Sequence, residues 1–395
     1  MKLAIVGVGQ AGGKILDQLI EYDRTRETGF VSHAIAVNSA KADLMGLTHV
    51  PESNRMLVGQ SIVSGQGTGT DPEAGRDCVR EDIHEITDAV GRAATSGTDA
   101  FLLIAGLGGG TGSGGSPVIA ERLGEIYTEP VYGLGILPST DEGGIYNRNA
   151  ANSLQRFVRS TDSVLLFDNG SARTGGETLS EGYTGINDEI ATRFGMLFSA
   201  GEIDSLSGGV AESVVDSSEI INTLGDGGIT SIGYASEPIE TNGGGGGGGG
   251  GGLLDRFRRS DDGDGLQSAG DATNRITSLV RRATLGELTL PCNRNSTTRA
   301  LLIVSGPPDH LSRKGIDNAR SWLETETDCR EVRAGDYPLP NEDRVAALVV
   351  LSGLTDVPRI EEIQGMAIDS EAEDDDDEDE FESLIEYGDD GEGAE

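Results

Sequence analysis

"FLLIAGLGGGTGSGGSPVIAERLG", residues 101–124, decides the fold of this chain. The apolar run FLLI leads into a stretch that crowds together Gly106, Gly108, Gly109, Gly110, Gly112, Gly114 and Gly115, and an amphipathic segment follows. Glycine inside structure costs roughly 0.5–1 kcal/mol per residue relative to alanine, so a run this dense needs a physical reason. A buried strand, a glycine loop and a helix, in that order, supply one. Backbone N–H groups at a helix N-terminus, uncovered by side chains, form a site for an anion with help from the helix dipole. The pattern predicts a helix over 116–127 with Pro117 in its first turn. No lysine follows as GK[ST], so this is not a Walker loop.

Two further glycine loops have the same setting. "GVGQAG", residues 7–12, follows the strand-like KLAIVGVG and opens the helical AGGKILDQLIEYD. It fits GxGxxG, the dinucleotide fingerprint, but the second strand, SHAIAVN, ends in Asn38 where an NAD site places an acid on the ribose. "SGQGTGTDPEAGRD", residues 64–77, precedes a helix predicted to run unbroken over 75–93. Three loops at the C-terminal ends of strands suit a triphosphate, two for its α/β region and one for its γ end.

Outward from there, AFLLIAG (100–106), VYGLGIL (131–137) and SVLLFDN (163–169) read as further buried strands separated by helices. Such βαβ units build a mostly parallel sheet covered on both faces. Leu179, Tyr183, Ile186, Ile190, Phe194 and Leu197 recur at steps of three or four and predict one long helix. Beyond it, SSEIINTLGD reads as a helix, TSIGYA as a strand, DATNRITSLVRRA and SRKGIDNARSWLE as helices, and RALLIVSG and RVAALVVLSG as strands. The expected organisation is an α/β fold: a Rossmann-like nucleotide-binding domain over 1–177, a central helix over 178–200 and a C-terminal α+β domain over 201–364. A poly-Gly loop at about 237–269 interrupts that domain, and an acidic tail covers 365–395. Gly243 to Gly252 bring no side chain to offset an ordering cost of ~1–2 kcal/mol each, which predicts a disordered loop spanning ~17 Å.

Composition limits the partners. The 395 residues carry 30 basic and 67 acidic side chains, a net charge of −37. That field repels nucleic acid and anionic membranes. Only Lys2, Lys14, Lys41 and Lys314 represent lysine, and carboxylates are dense well before the tail, a balance that suits solubility in concentrated salt. An acidic tail on an otherwise ordinary protein is the alternative. Cys78, Cys292 and Cys329 form no CxxC pair and the four histidines stand apart, which argues against a disulfide framework and a zinc site. No apolar run approaches the ~18 residues of a membrane span, so a cytoplasmic chain without direct membrane insertion is expected.

GGGTGSG, Gly108 to Gly114, resembles the signature of the tubulin/FtsZ superfamily of GTP-driven filament proteins. GQAGGK at 9–14, the acidic lysine-poor composition and DSSEIINTLGDGGI resemble its archaeal tubulin-like branch, CetZ, most. The resemblance, over essentially residues 1–360, implies GTP/GDP and Mg²⁺ as ligands. It places Gly9, Gln10, Ala11 and Gly12 near the phosphates, with Gln10 beside the metal. Gly109, Gly110, Thr111, Gly112 and Ser113 would wrap the α/β-phosphates, and Thr68, Gly69 and Thr70 would sense the γ-phosphate. Glu142 would hold the ribose, and Asn169, Tyr183 and Asn187 the guanine. Asp216 and Glu219 would complete hydrolysis on the next subunit of a head-to-tail homopolymer, although Asp216 also suits a helix cap. Val214 and Tyr146 depart from the FtsZ pattern, which has an Asn and an Arg there. The implied role is control of cell shape or motility in a haloarchaeon; the alternatives are a division-ring protein and a GTP-binding regulator that never polymerises. FESLIEY, residues 381–387, is the tail's one apolar cluster and a candidate for docking a protein partner.

Overall fold

Continuous apolar strands fix the centre of the molecule. In the computed structural model, which describes residues 1–93, 97–172, 179–202, 215–239 and 264–368, β1 (Leu3–Val8), β2 (Val31–Asn38), β3 (Arg55–Leu57), β4 (Ala100–Gly106), β5 (Val131–Leu137) and β6 (Ser163–Asp168) lie side by side in the order β3-β2-β1-β4-β5-β6. All five pairings are parallel. Every residue of β1, β5 and β6 is buried, as strands covered on both faces require. The direction of winding reverses between β1 and β4, the place where doubly wound sheets open a crevice for a ligand.

Helices cover both faces. Residues of α1 (Gly9–Arg26) join those of the long central helix on one face, while α4 (Pro72–Glu81), α5 (Ile83–Ala93), α6 (Thr111–Ile126) and α7 (Gly144–Ser160) pack on the other. Two short helices, α2 (Lys41–Met45) and α3 (Gln60–Val63), lie in the β2–β3 and β3–α4 connections, and α8 (Asn169–Ala172) follows β6 directly. The central helix is α9 (Leu179–Ala200), and Ile186, Ile190, Phe194 and Leu197 are buried as its spacing predicts.

The same sheet continues into the C-terminal half. After α10 (Ser217–Leu224), β7 (Ile229–Pro238) joins β6 in parallel through only Val164↔Ile229 and Leu165↔Thr230. Helices α11 (Asp264–Gly286) and α12 (Arg313–Thr327) then alternate with β8 (Arg299–Gly306), β9 (Glu331–Pro338) and β10 (Arg344–Leu354). β10 is antiparallel to both β7 and β8, and β9 is parallel to β8 at the outer edge. A last helix occupies 358–368.

Several expectations need correction. The helix predicted over 75–93 is two helices, because Asp82 leaves helical geometry (φ −107°, ψ 19°) and its carboxylate accepts the Gly59 N–H at 2.7 Å. The helix predicted to begin at 116 begins at Thr111, so Pro117 lies inside it and not in its first turn. Helical winding there is compulsory for packing: a Cβ on Gly114 would sit 1.8 Å from the Pro72 carbonyl oxygen, so only glycine lets α6 lie this close to α4. Much of the glycine run thus serves helix contact and not the ligand. β7 extends through Pro238 and α11 starts at Asp264, inside the loop bounds of 237–269; residues 240–263, with the whole glycine tract, lie outside the described residues. Helix 358–368 likewise carries order past residue 365, with Ala367 buried. β3 and β9 had no sequence expectation; β9 is an edge strand whose partial burial blurs its alternation.

Candidate nucleotide site

Loops from four strand ends enclose a cavity of about 510 Å³ at the β1/β4 reversal. Its walls include Gly9, Gln10 and Ala11 after β1, Gly108 to Gly112 after β4, Pro138 and Glu142 after β5, and Asn169 after β6. Thr68 and Gly69 close one side, and Asn187 of α9 reaches in from another. Of the residues singled out from sequence, these stand together. Gly12, Thr70 and Ser113 stand behind the wall. A Cβ on Gly12 would lie 2.1 Å from the Ile104 carbonyl oxygen, so this glycine brings α1 against β4. Ser113 turns its hydroxyl onto the Gly109 and Gly110 carbonyls, and Thr70 onto that of Gly69. The Tyr183 side chain and Val214 lie outside what is described.

The electrostatics favour an anion held by amides. Val8 and Gly110, which precede α1 and α6, supply no side-chain cap, whereas Asp71, Asp216 and Ser312 cap α4, α10 and α12. The first turns of both helices line the cavity, where N–H groups that lack intrahelical partners and the positive end of each helix dipole suit an anion. Gly9 holds φ at +74°, and Gly109 has open space where a Cβ would stand. Among the described residues, Lys14 is the only cationic side chain on the wall. It shares a face of α1 with Gln10, four residues earlier.

Each polar side chain has a definite posture. Gln10 Nε2 donates to Asp43 Oδ1 at 3.0 Å, and Asn38 Nδ2 donates to Asp43 Oδ2 at 3.1 Å. Glu142 Oε1 accepts the Ser139 N–H at 2.9 Å and Asn169 Nδ2 at 3.4 Å. Asn169 Oδ1 is buried with no partner among the described residues. A buried acceptor left open is costly, and here it belongs to a cavity-lining residue, as if awaiting a donor from a ligand. Behind it, Asp168 and Arg359, both 7% exposed, pair at 3.5 Å, and Arg359 also donates to the Pro138 carbonyl at 2.8 Å. Burial pushes the Asp168 carboxyl up while Arg359 pulls it down.

Sequence reasoning missed Asp43, Lys14, Asn149 and Arg359. The i, i+4 spacing of Gln10 and Lys14 was the one available signal. Asn149 is buried on α7, and its Nδ2 donates to the Thr70 carbonyl at 2.8 Å and the Gly108 carbonyl at 3.1 Å. One amide therefore clamps two of the glycine loops together.

Asp216 and Glu219 are not part of this cavity. A Cβ on Gly201 would come within 3.1 Å of both the Met1 and Ser217 backbone nitrogens, which places the start of α10 beside the start of β1. The cavity sits at the other end of that strand, on the order of 20 Å away for six residues of parallel strand. Asp216 caps α10 by accepting the Glu219 N–H at 3.0 Å. Hydrogen bonds from Ser218 and from the Glu219 N–H hold its carboxyl below the usual range, whereas burial and Asp216 push Glu219 up.

The residues present fit a nucleoside triphosphate with a hard cation. Amides face a phosphate chain, an open amide acceptor faces a base, and Gln10 beside the Asp43 carboxylate provides oxygen donors suited to Mg²⁺. Among the described residues no cluster of three or more His, Cys, Asp or Glu could hold a metal alone, so phosphate oxygens would complete such a site.

Comparison with known proteins agrees with this geometry. The GTPase domain of the Tubulin/FtsZ family matches residues 2–174, and the C-terminal domain of tubulin-like CetZ matches 176–369. Tubulin-like protein CetZ1 of Haloferax volcanii is 54% identical over 371 residues, covering 94% of this chain and 93% of its own length. The structure of CetZ1 from that organism as a GDP-bound monomer superposes with a TM-score of 0.81 at 50% identity, over 94% of this chain and 100% of the other. That of CetZ2, a GTPγS-bound protofilament, superposes with a TM-score of 0.82 at 40% identity, over 95% and 100%. The chain belongs to the tubulin-like CetZ family of the tubulin/FtsZ superfamily.

Proposed function

We propose that this chain binds GTP with Mg²⁺, polymerises head to tail and hydrolyses GTP at each subunit contact, as a cytoplasmic cytoskeletal protein controlling cell shape or motility. Amides of the first turns of α1 and α6 hold the α/β-phosphates, with Gly9 to Ala11 on one side and Gly109 to Gly112 on the other, and Gly12 and Ser113 support these turns from behind. Thr68 and Gly69 meet the γ-phosphate, with Thr70 bracing their loop. Glu142 takes the ribose, Asn169 and Asn187 the guanine edge, and Tyr183 stacks on the base. Gln10, with Asp43 beside it, would hold the Mg²⁺, which would supply charge neutralisation for the phosphates. The division into a GTPase domain (1–177), central helix (178–200), C-terminal domain (201–364) and tail belongs to this reading, as does a protein partner for residues 381–387.

One observation carries it: the nucleotide cavity and the acid pair lie at opposite ends of one sheet. Within the cavity both carboxylates are already engaged, Asp43 by Gln10 and Asn38, Glu142 by Ser139 and Asn169. With Asp43 assigned to the metal and Glu142 to the ribose, neither is left to orient an attacking water. Stacking one subunit's Asp216 and Glu219 over the next subunit's γ-phosphate supplies the missing group, and such a heterologous contact repeats into an open filament. Light scattering in molar KCl tests this. Assembly above a critical concentration with GTP, and none with GDP, supports the filament reading; no assembly at any concentration leaves a GTP-binding regulator.

A further inference from the structure

Four arginines meet at one place on a chain of net charge −37. Arg76 and Arg80 of α4 and Arg156 and Arg159 of α7 line a cavity of about 350 Å³ across α6, where Glu121 is the only opposing carboxylate on the wall among the described residues. Neighbouring acids neutralise the cluster in part. Glu73 accepts from Arg76 at 2.6 Å and lies 3.3 Å from Arg156, and Asp77 stands 4.0 Å from Arg80. Arg159 pairs with no carboxylate among the described residues, and Arg76 Nη2 is buried without a hydrogen-bond partner. Guanidinium forks in this arrangement match carboxylates spaced along an extended chain.

We infer that this cluster is the docking site for the acidic run of the same chain's C-terminal tail, residues 375–380 (DDDEDE). Three arguments select that occupant. The overall negative field repels a free polyanion such as nucleic acid, but a tethered one arrives at an effective concentration near the millimolar range. Helix 358–368, from which the tail departs, lies on the same face of the sheet as α7, since Ile363 shares a core with Leu154 and Phe157. Six residues from 369 to 374 reach about 20 Å when extended, which spans two neighbouring helices. The inference does not depend on nucleotide binding or polymerisation.

A photo-crosslinking amino acid at Phe381 of the full chain, illuminated in molar KCl, tests it by mass spectrometry. Cross-links should concentrate in 76–159, and Arg156→Ser with Arg159→Ser should reduce them roughly fivefold, the loss of two exposed ion pairs. A 1:1 mixture of isotopically heavy and light chains should give cross-links within one copy only. Cross-links spread over other surfaces, or unmoved by the arginine substitutions, overturn the inference, and heavy–light products overturn its intramolecular form. Circular dichroism of the double variant guards against misfolding, and Arg156→Lys with Arg159→Lys should restore much of the cross-linking.

Discussion

Two alanine substitutions in one glycine run should have opposite consequences. In Gly114→Ala the new Cβ falls 1.8 Å from the Pro72 carbonyl oxygen and 2.8 Å from the Arg76 backbone nitrogen. Both obstacles are backbone, so α6 and α4 must part by roughly 1.5 Å to regain ordinary contact. Overpacking of this kind costs about 1–3 kcal/mol, and a rigid neighbour puts it at the high end. The gain in helix propensity from Gly to Ala returns about 1 kcal/mol. The net, about 2 kcal/mol, corresponds to a melting temperature lower by roughly 2–3 °C for a chain of this size. In Gly109→Ala the Cβ meets no atom within 4 Å. Stability should hold within about 0.5 kcal/mol, while a methyl group in the space reserved for a phosphate weakens GTP binding roughly 5- to 150-fold. Thermal melts without nucleotide and calorimetric titration with GTP separate the two effects. A stable Gly114→Ala together with unimpaired GTP binding by Gly109→Ala would refute the division of this run into packing and ligand glycines.

Other consequences follow from the second layer of the site. Asn149→Ala removes the clamp on Thr70 and Gly108 and should raise the KM for GTP about tenfold, the equivalent of about one hydrogen bond; steady-state kinetics above the critical concentration checks it. Asn169→Ala removes the open acceptor and should cut the preference for GTP over ATP at least about tenfold in competition binding. Arg359→Met leaves the Asp168 carboxylate buried and unpaired, a loss of about 3–5 kcal/mol in denaturant unfolding, and adding Asp168→Asn should recover part of it. Glu219 has its carboxyl pKa raised by the fold. A raised acid contributes stability that is present below its unfolded pKa and lost as pH rises through the folded value. Glu219→Gln should therefore melt higher than the parent chain at neutral pH and match it below about pH 4.

Strand and helix identity in the nucleotide half was legible because buried parallel strands are nearly unbroken apolar runs: AFLLIAG and VYGLGIL match β4 and β5 residue for residue. The boundary of α6 was not legible. Nothing in TGSGGSP reveals that Pro72 and Val79 press against those glycines, so a loop and a helix of glycines look alike. The two-helix break at Asp82 depends on Gly59, and the clamp at Asn149 on Thr70, partners that sequence spacing does not expose. Arg359 is still more remote, since it reaches Asp168 across nearly two hundred residues of chain. The cavity wall itself followed from glycine loops at strand ends; the side chains that hold that wall in place came only with the fold.

Hydrolysis per subunit, measured against protein concentration in molar KCl for the parent chain and for Glu219→Ala, tests catalysis between subunits most directly. A rate per subunit that climbs with concentration, and that collapses in Glu219→Ala while GTP affinity stays unchanged, is the predicted result. A rate independent of concentration and indifferent to Glu219 would contradict it, because each chain would then complete its active site alone.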